Sequence, residues 1–359
     1  MTILDSYQEI FLEGKWSYYP CQYFGNFPFL SEICADEFII NYFKRGGKEK
    51  VFDKSFKGGN KRNMHSISTF FLGKLIEPLI FVKSNNTTEI NNTNEPDFNY
   101  FWFLSCLYHD YGYFVEHNKT KYPPKKYDLK GICKLLNIEN DLLKAEYQHH
   151  FDTETIINYY DYCRNELNFI NHGIIGGLLL YDRLLKNYES TKEKANDGVN
   201  GASEEDFIYN NLHWSRNHET FYAKAADNII SHNIWVSPIN NKEKSRIYHE
   251  NHLDKLIIQK DQRLNCSDSL LSLVSICDTI EPLKSFSQFI PDCILNKLYI
   301  TTSTSDRNIN ITIFDNCINL EPYFENIKYL EEWLNVEVSV NETKTSITIK
   351  IIDKKNDLH

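Results

Sequence analysis

The sequence predicts a mainly α chain: a helical bundle with a small C-terminal α+β (ββαββ) domain. Apolar residues recur at helical spacing up to about residue 290, and beyond that point the spacing changes to alternation. At 359 residues the chain also exceeds the usual single-domain size, so one large body with a smaller appendage is expected. The expected divisions are 1–60, an aromatic-rich N-terminal extension packing on the core; 61–290, the helical body; and 291–359, the small α+β domain.

In order, Trp16, Tyr18, Tyr19, Tyr23, Phe24, Phe27 and Phe29 gather around Pro20 and Pro28, which reads as loops before a short helix at about Ala35 to Phe43. A helix opening at Arg62 carries His65 in its first turn and is expected to stop before Pro78, which lacks the amide proton of a helix interior. The Asn- and Thr-rich stretch 84–96 reads as a loop. From Asp97 to Phe114 the pattern is apolar nearly all round, so that helix is buried, and it ends on the adjacent pair His109-Asp110. Two short helices are expected over 127–150, with Thr153 capping one over 156–167. His172 opens a helix in which Gly173, Gly176 and Gly177 let another backbone approach. The stretch 188–202 reads as a polar loop, and Ser203 with Asp206 as the cap of a following helix. Helices over 218–232 and 267–280 flank a polar stretch at 240–250 and a segment at 256–258, and Pro282 closes the second helix. Strands are expected at 299–302, 309–314, 336–340 and 346–351, with a helix at 321–334 between the second and third.

The formal charge of −10 argues against a long nucleic-acid partner, which is gripped through clustered Lys and Arg, although a local basic groove stays open. Nine cysteines without a CxxC, and no signal peptide after Met1, point to reduced thiols in a cytoplasmic protein. No apolar run is long enough to cross a bilayer, so no membrane partner is expected.

Six polar residues interrupt the apolar helices: His65, the pair His109-Asp110, His172, His232 and Asp278. Burying imidazole and carboxylate among Phe, Trp and Leu is costly unless they are paired or coordinated. Helices that each offer one or two such groups toward a common centre build metal sites in bundle proteins. Core histidines with ordinary hydrogen bonds are the alternative for each residue taken singly.

Read together, Arg62-x-x-His65-Ser66, His109-Asp110-x-Gly112, His172-Gly173 with Gly176, and Leu273-Val274-Ser275-Ile276-Cys277-Asp278 resemble the HD-domain metal-dependent phosphohydrolase superfamily, over about Lys61 to Phe289. The resemblance implies that His65, His109, Asp110 and Asp278 hold one metal, and that Asp110 bridges to a second completed by His172 and His232. Two divalent transition-metal ions are then expected, from among Mn, Fe, Co, Ni and Zn. Their ligand atoms should place His172 and His232 within about 8 Å of Asp110. The implied reaction is attack of metal-activated hydroxide on a phosphodiester or phosphate of a nucleotide, with a cyclic or short oligonucleotide favoured. Asp110 bridges the metals, while Arg62 and Lys224 are candidate phosphate-binding cations.

Tyr113 departs from the family, which commonly has Lys or His there, and long insertions separate the later motifs. His117, His149, His150, His213 and His218 compete with His232 for the second site. The same ligand order also resembles HD-fold diiron oxygenases, and no residue separates that chemistry from the hydrolase. An HD-type single-stranded DNA nuclease, against which the acidic charge weighs, and a non-catalytic nucleotide sensor, against which the six retained candidate ligands weigh, are the further alternatives.

Overall fold

The computed structural model describes residues 1–14, 16–18, 25–52, 61–81, 98–144, 153–196, 206–210, 212–215, 218–233, 243, 246, 249–253, 264–266, 269–287, 290–313 and 318–352. The loop expected at 84–96, Tyr19, Tyr23 and Phe24 of the aromatic cluster, the histidine pair 149–150, Ser203 and the segment 256–258 lie outside the described residues.

The described chain is mainly helical. Its principal helices are α1 (Ile3–Glu13), α2 (Glu32–Arg45), α3 (Lys61–Ile80), α4 (Phe98–Tyr108), the single-turn α5 (Tyr113–Glu116), α6 (Leu129–Leu135), α7 (Thr153–Asn165), α8 (His172–Asn196), α9 (His218–Ser231) and α10 (Leu270–Ile280). The spine is α3, which packs against α2, α4 and α10, while α9 packs against α4 and α8. Phe70 and Phe71 of α3 meet an aromatic layer from the N-terminal segment: Trp16, Phe38 and Tyr42 lie within 6.3 Å of Phe70 by ring centres, and Tyr7, Trp16 and Phe38 within 5.9 Å of Phe71.

Several elements differ from the sequence expectation. Pro78 lies inside α3, close enough to its end that only the last turn loses a hydrogen bond, and Phe81 N still reaches Glu77 O at 2.9 Å. The helix expected to run through His109-Asp110 stops at Tyr108; the pair sits in a turn in which Tyr111 N donates to Tyr108 O and Tyr113 N to Asp110 O. Residues 188–196, expected as loop, continue α8, because Asn187 donates to Gly47 O and Tyr188 packs on Phe207 and Trp214. Asp206 does not cap a helix. It opens β1 (Asp206–Tyr209), which pairs antiparallel with β2 (Leu212–Ser215), Asn210 turning the chain at φ 51. After α10, Pro282 starts a new turn of helix, α11 (Pro282–Ser285), as proline favours the first helical position.

A short helix α12 (Pro291–Leu295) leads to a four-stranded antiparallel sheet of order β3-β4-β6-β5, from β3 (Leu298–Ser303), β4 (Asn308–Ile313), β5 (Val336–Val340) and β6 (Ser346–Ile351). The register Ile309↔Ile349 and Val336↔Ile351 puts alternate Ile and Val on one buried face. Tyr323, Phe324 and Ile327 of α13 (Glu321–Lys328) and Leu330 and Trp333 of α14 (Leu330–Trp333) are buried with them. The unit is tied to the helical body at two helix ends. Arg307 donates to Leu79 O at 2.9 Å, and the Tyr323 hydroxyl donates to Ile280 O at 2.6 Å. Both carbonyls belong to last turns, where the helix itself supplies no donor.

Candidate metal centre

The turn that ends α4 is pressed against the start of α8. A Cβ on Gly112 would stand 2.0 Å from His172 O and 2.8 Å from Gly176 N, so only glycine permits this approach. Across the other side of α8, a Cβ on Gly177 would meet Ala226 O at 2.6 Å, which draws α9 equally close. Together with His65 from α3 and Asp278 from α10, these elements converge all six expected ligands in one buried cluster.

His109 is fully buried, and its Nδ1 proton goes to Cys106 O at 2.6 Å. His232, following α9, gives its Nδ1 proton to Ile229 O. Each bond fixes its ring and turns Nε2 toward the cluster. Burial and the neighbouring imidazoles of His109 and His172 hold the His232 pKa down to about 3, so it stays neutral. The His109 Nε2 stands 3.4 Å from Asp110 Oδ1 and 3.6 Å from Asp278 Oδ1. The His172 Nε2 is 3.6 Å from Asp110 Oδ1, and the His172 and His232 ring centres are 5.5 Å apart, within the reach expected of a second site.

Two further rings are oriented by carboxylates that sequence reasoning missed. Glu281 is fully buried; its Oε2 accepts from His65 Nδ1 at 2.6 Å and from Lys284 N at 3.0 Å, so one carboxylate both aims the imidazole and caps α11. The His65 Nε2 faces Asp278 Oδ1 at 3.0 Å and Asp110 Oδ2 at 3.6 Å. Burial opposes charge on His65, but Glu281, Asp278 and Asp110 outweigh it and raise its pKa to about 10 in the metal-free chain. Glu116 accepts from His172 Nδ1 at 2.6 Å, and Asn233 Nδ2 donates to His172 Nε2 at 2.6 Å. The Lys284 ammonium lies 2.9 and 2.7 Å from the two oxygens of Asp278. Asp110 and Asp278 both stay ionised although burial resists it, because His109, His65 and His172 surround the first and Lys284 with His65 the second.

Arg62 pairs with Asp110 Oδ2 at 3.4 Å and contacts His117 Nε2 at 3.2 Å. Its guanidinium lies 3.2 Å from the centre of the Tyr113 ring, which in turn stacks on His172 at 3.5 Å and 19°. The tyrosine at the position expected for a cation thus supports one from another helix. Lys224 is not brought to the cluster: it is exposed on α9, with its ammonium 6.0 Å from the Phe221 ring centre. Eight residues of helix separate it from His232, or about 12 Å along the axis. Of the competing histidines, His117 is exposed beside Arg62, His213 lies in β2 and His218 opens α9.

The donor set fits a transition-metal ion by a direct observation. Nε2 of His109, Oδ1 of Asp110 and Nε2 of His232 are all buried without a hydrogen-bond partner. The same three residues offer ligand atoms within 4.8 Å of one another, as do His65, His109 and Asp278. Buried polar atoms left unpaired are costly, and a cation placed among them would remove that cost. No family model matches the chain, nor does any curated protein or solved structure. Among the described residues, no helix is long and apolar enough to cross a membrane.

Proposed function

We propose that the chain is a metal-dependent phosphohydrolase of the HD type, acting on a phosphodiester or phosphate of a nucleotide, with a cyclic or short oligonucleotide favoured. The observation that carries this reading is the trio of buried, unpartnered ligand atoms on His109, Asp110 and His232. His65 and Asp278, 3.0 Å apart, and His172, 3.6 Å from Asp110 Oδ1, offer further ligands for a second ion, a grouping that differs from the one the resemblance implies. Divalent ions bound there would supply the acidity that makes water nucleophilic near neutral pH and would neutralise phosphoryl charge.

The protein's own contribution is orientation. Cys106 O, Ile229 O, Glu281 and Glu116 each hold the Nδ1 of one of the four imidazoles, so all four rings turn Nε2 toward the cluster. Arg62, held flat on Tyr113 at the half-exposed edge of the cluster, is suited to a bidentate grip on a phosphate.

Elemental analysis of the purified chain, followed by assay of metal-loaded and metal-stripped protein on an activated phosphodiester, tests the reading. Cyclic dinucleotides, nucleotides and single-stranded oligonucleotides extend the panel. Release of product that depends on Mn or Fe and is lost in His109→Ala is expected. Full activity in His109→Ala, or no gain on adding either metal, would overturn it.

A further inference from the structure

The two halves of the cluster differ in what already occupies them. On the His109, Asp110 and His232 side, the three inward-facing ligand atoms have no hydrogen-bond partner. On the other side both oxygens of Asp278 are already partnered: Oδ1 receives His65 Nε2 at 3.0 Å and Lys284 Nζ at 2.9 Å, and Oδ2 receives Lys284 Nζ at 2.7 Å. An ammonium bridging both oxygens of a carboxylate occupies the place and the charge role of a metal ion on that ligand.

The position of Lys284 is built in rather than incidental. Asp278, Glu281 and Lys284 follow one another at intervals of three residues across the break between α10 and α11. The Glu281 carboxylate caps α11 through Leu283 N and Lys284 N, each at 3.0 Å, and the same group holds His65. The backbone of Lys284 is therefore fixed by the residue that aims a metal ligand. Its side chain is 46% exposed, so it is free to swing toward solvent without opening the core.

We infer that Lys284 is an internal cation that keeps the His65–Asp278 half of the cluster closed, so that one divalent ion loads tightly at His109, Asp110 and His232, and a second enters only when Lys284 leaves Asp278. The inference rests on the reading that the cluster binds metal, but not on any substrate. Lys284 thereby sets the number of ions held at a given metal concentration.

The test is an equilibrium titration of the full-length, metal-stripped chain with Co(II), read by visible absorption and by metal content after gel filtration. The wild type is expected to retain one equivalent and to need at least a tenfold higher concentration for the second. Lys284→Met is expected to retain two, its second-site affinity at least tenfold higher, while Lys284→Arg keeps the wild-type stoichiometry. Thermal melts of the metal-free variants show that each is folded. Two ions of equal affinity in the wild type, or a second-site affinity unchanged or weakened in Lys284→Met, overturns the inference and leaves the proposed hydrolase standing. Staged loading without phosphoester cleavage supports the inference and overturns the hydrolase. Failure to bind Co(II) at all overturns both.

Discussion

His109 and His232 are anchored alike: each follows the end of an apolar helix and donates its Nδ1 proton to the carbonyl three residues back, Cys106 O and Ile229 O. Both carbonyls lie in the last turn of their helices, where the ladder leaves acceptors open, and Cys106 O also receives the His109 backbone N–H at 3.5 Å. Each imidazole thus closes its own helix and presents its second nitrogen to the centre, where the ring centres stand 5.2 Å apart.

Where a carboxylate does this job instead, its loss should weaken metal binding without removing a ligand. Glu281→Gln keeps the size of the group but withdraws the negative charge behind His65. A 10- to 100-fold fall in metal affinity is expected, roughly the range for such outer partners, and a competition titration against a chelator of known strength measures it.

Arg62→Lys preserves charge but not the planar group that lies on Tyr113. The expected outcome is a rise in KM for a phosphorylated substrate of about tenfold, roughly the cost of one lost charge-assisted contact, with metal affinity unchanged. Steady-state kinetics beside a metal titration separate the two effects.

Gly112→Ala would drive a Cβ into His172 O. The start of α8 must then move away, at a cost of about 3 kcal/mol, and His172 moves with it. Denaturant unfolding of the metal-free variant reads the first effect, and metal retention the second.

Lys48, distant in sequence from the centre, is buried with its ammonium 2.9 Å from Gly46 O and over the rings of Tyr100 and Trp214. Burial lowers its pKa from 10.5 to about 7. The unfolded chain takes up this proton below 10.5 and the folded chain only below about 7, so the penalty is absent above 10.5 and complete below 7. In the metal-free chain His65 acts oppositely: its contribution is complete below 6.5 and lost as pH rises through about 10. A difference between variants cancels that term. Lys48→Met should therefore be more stable than wild type at pH 7, by at most about 5 kcal/mol, and the gap should close by pH 10.5 in urea unfolding.

The six residues of the buried cluster were legible because polar groups interrupting apolar helices stand out against a 3.6-residue pattern. Their orienters were not. Glu116 and Glu281 look in sequence like ordinary acids at helix ends, and only packing shows that they face inward; Asn233 adjoins His232 and Lys284 lies six residues beyond Asp278, yet neither interrupts an apolar run. Spacing did hold one overlooked signal, the interval of three joining Asp278, Glu281 and Lys284. The ββαββ order of the C-terminal unit followed from alternation, whereas the β1–β2 hairpin was missed because four-residue strands carry too little period to tell from a capped loop. Lys224 lies two helical turns before His232, and that axial distance together with its exposure on α9 keeps it from the cluster.

The bonds from Arg307 to Leu79 O and from Tyr323 to Ile280 O join the C-terminal sheet to the same two helices, α3 and α10, that supply His65 and Asp278. The sheet is therefore a brace across the ends of two struts of the cluster, not an attachment hung beside them. Cutting the chain at residue 290 would bare Ile280 and the apolar flank under Tyr323 two residues from Asp278, so the helical portion alone is an unfinished centre.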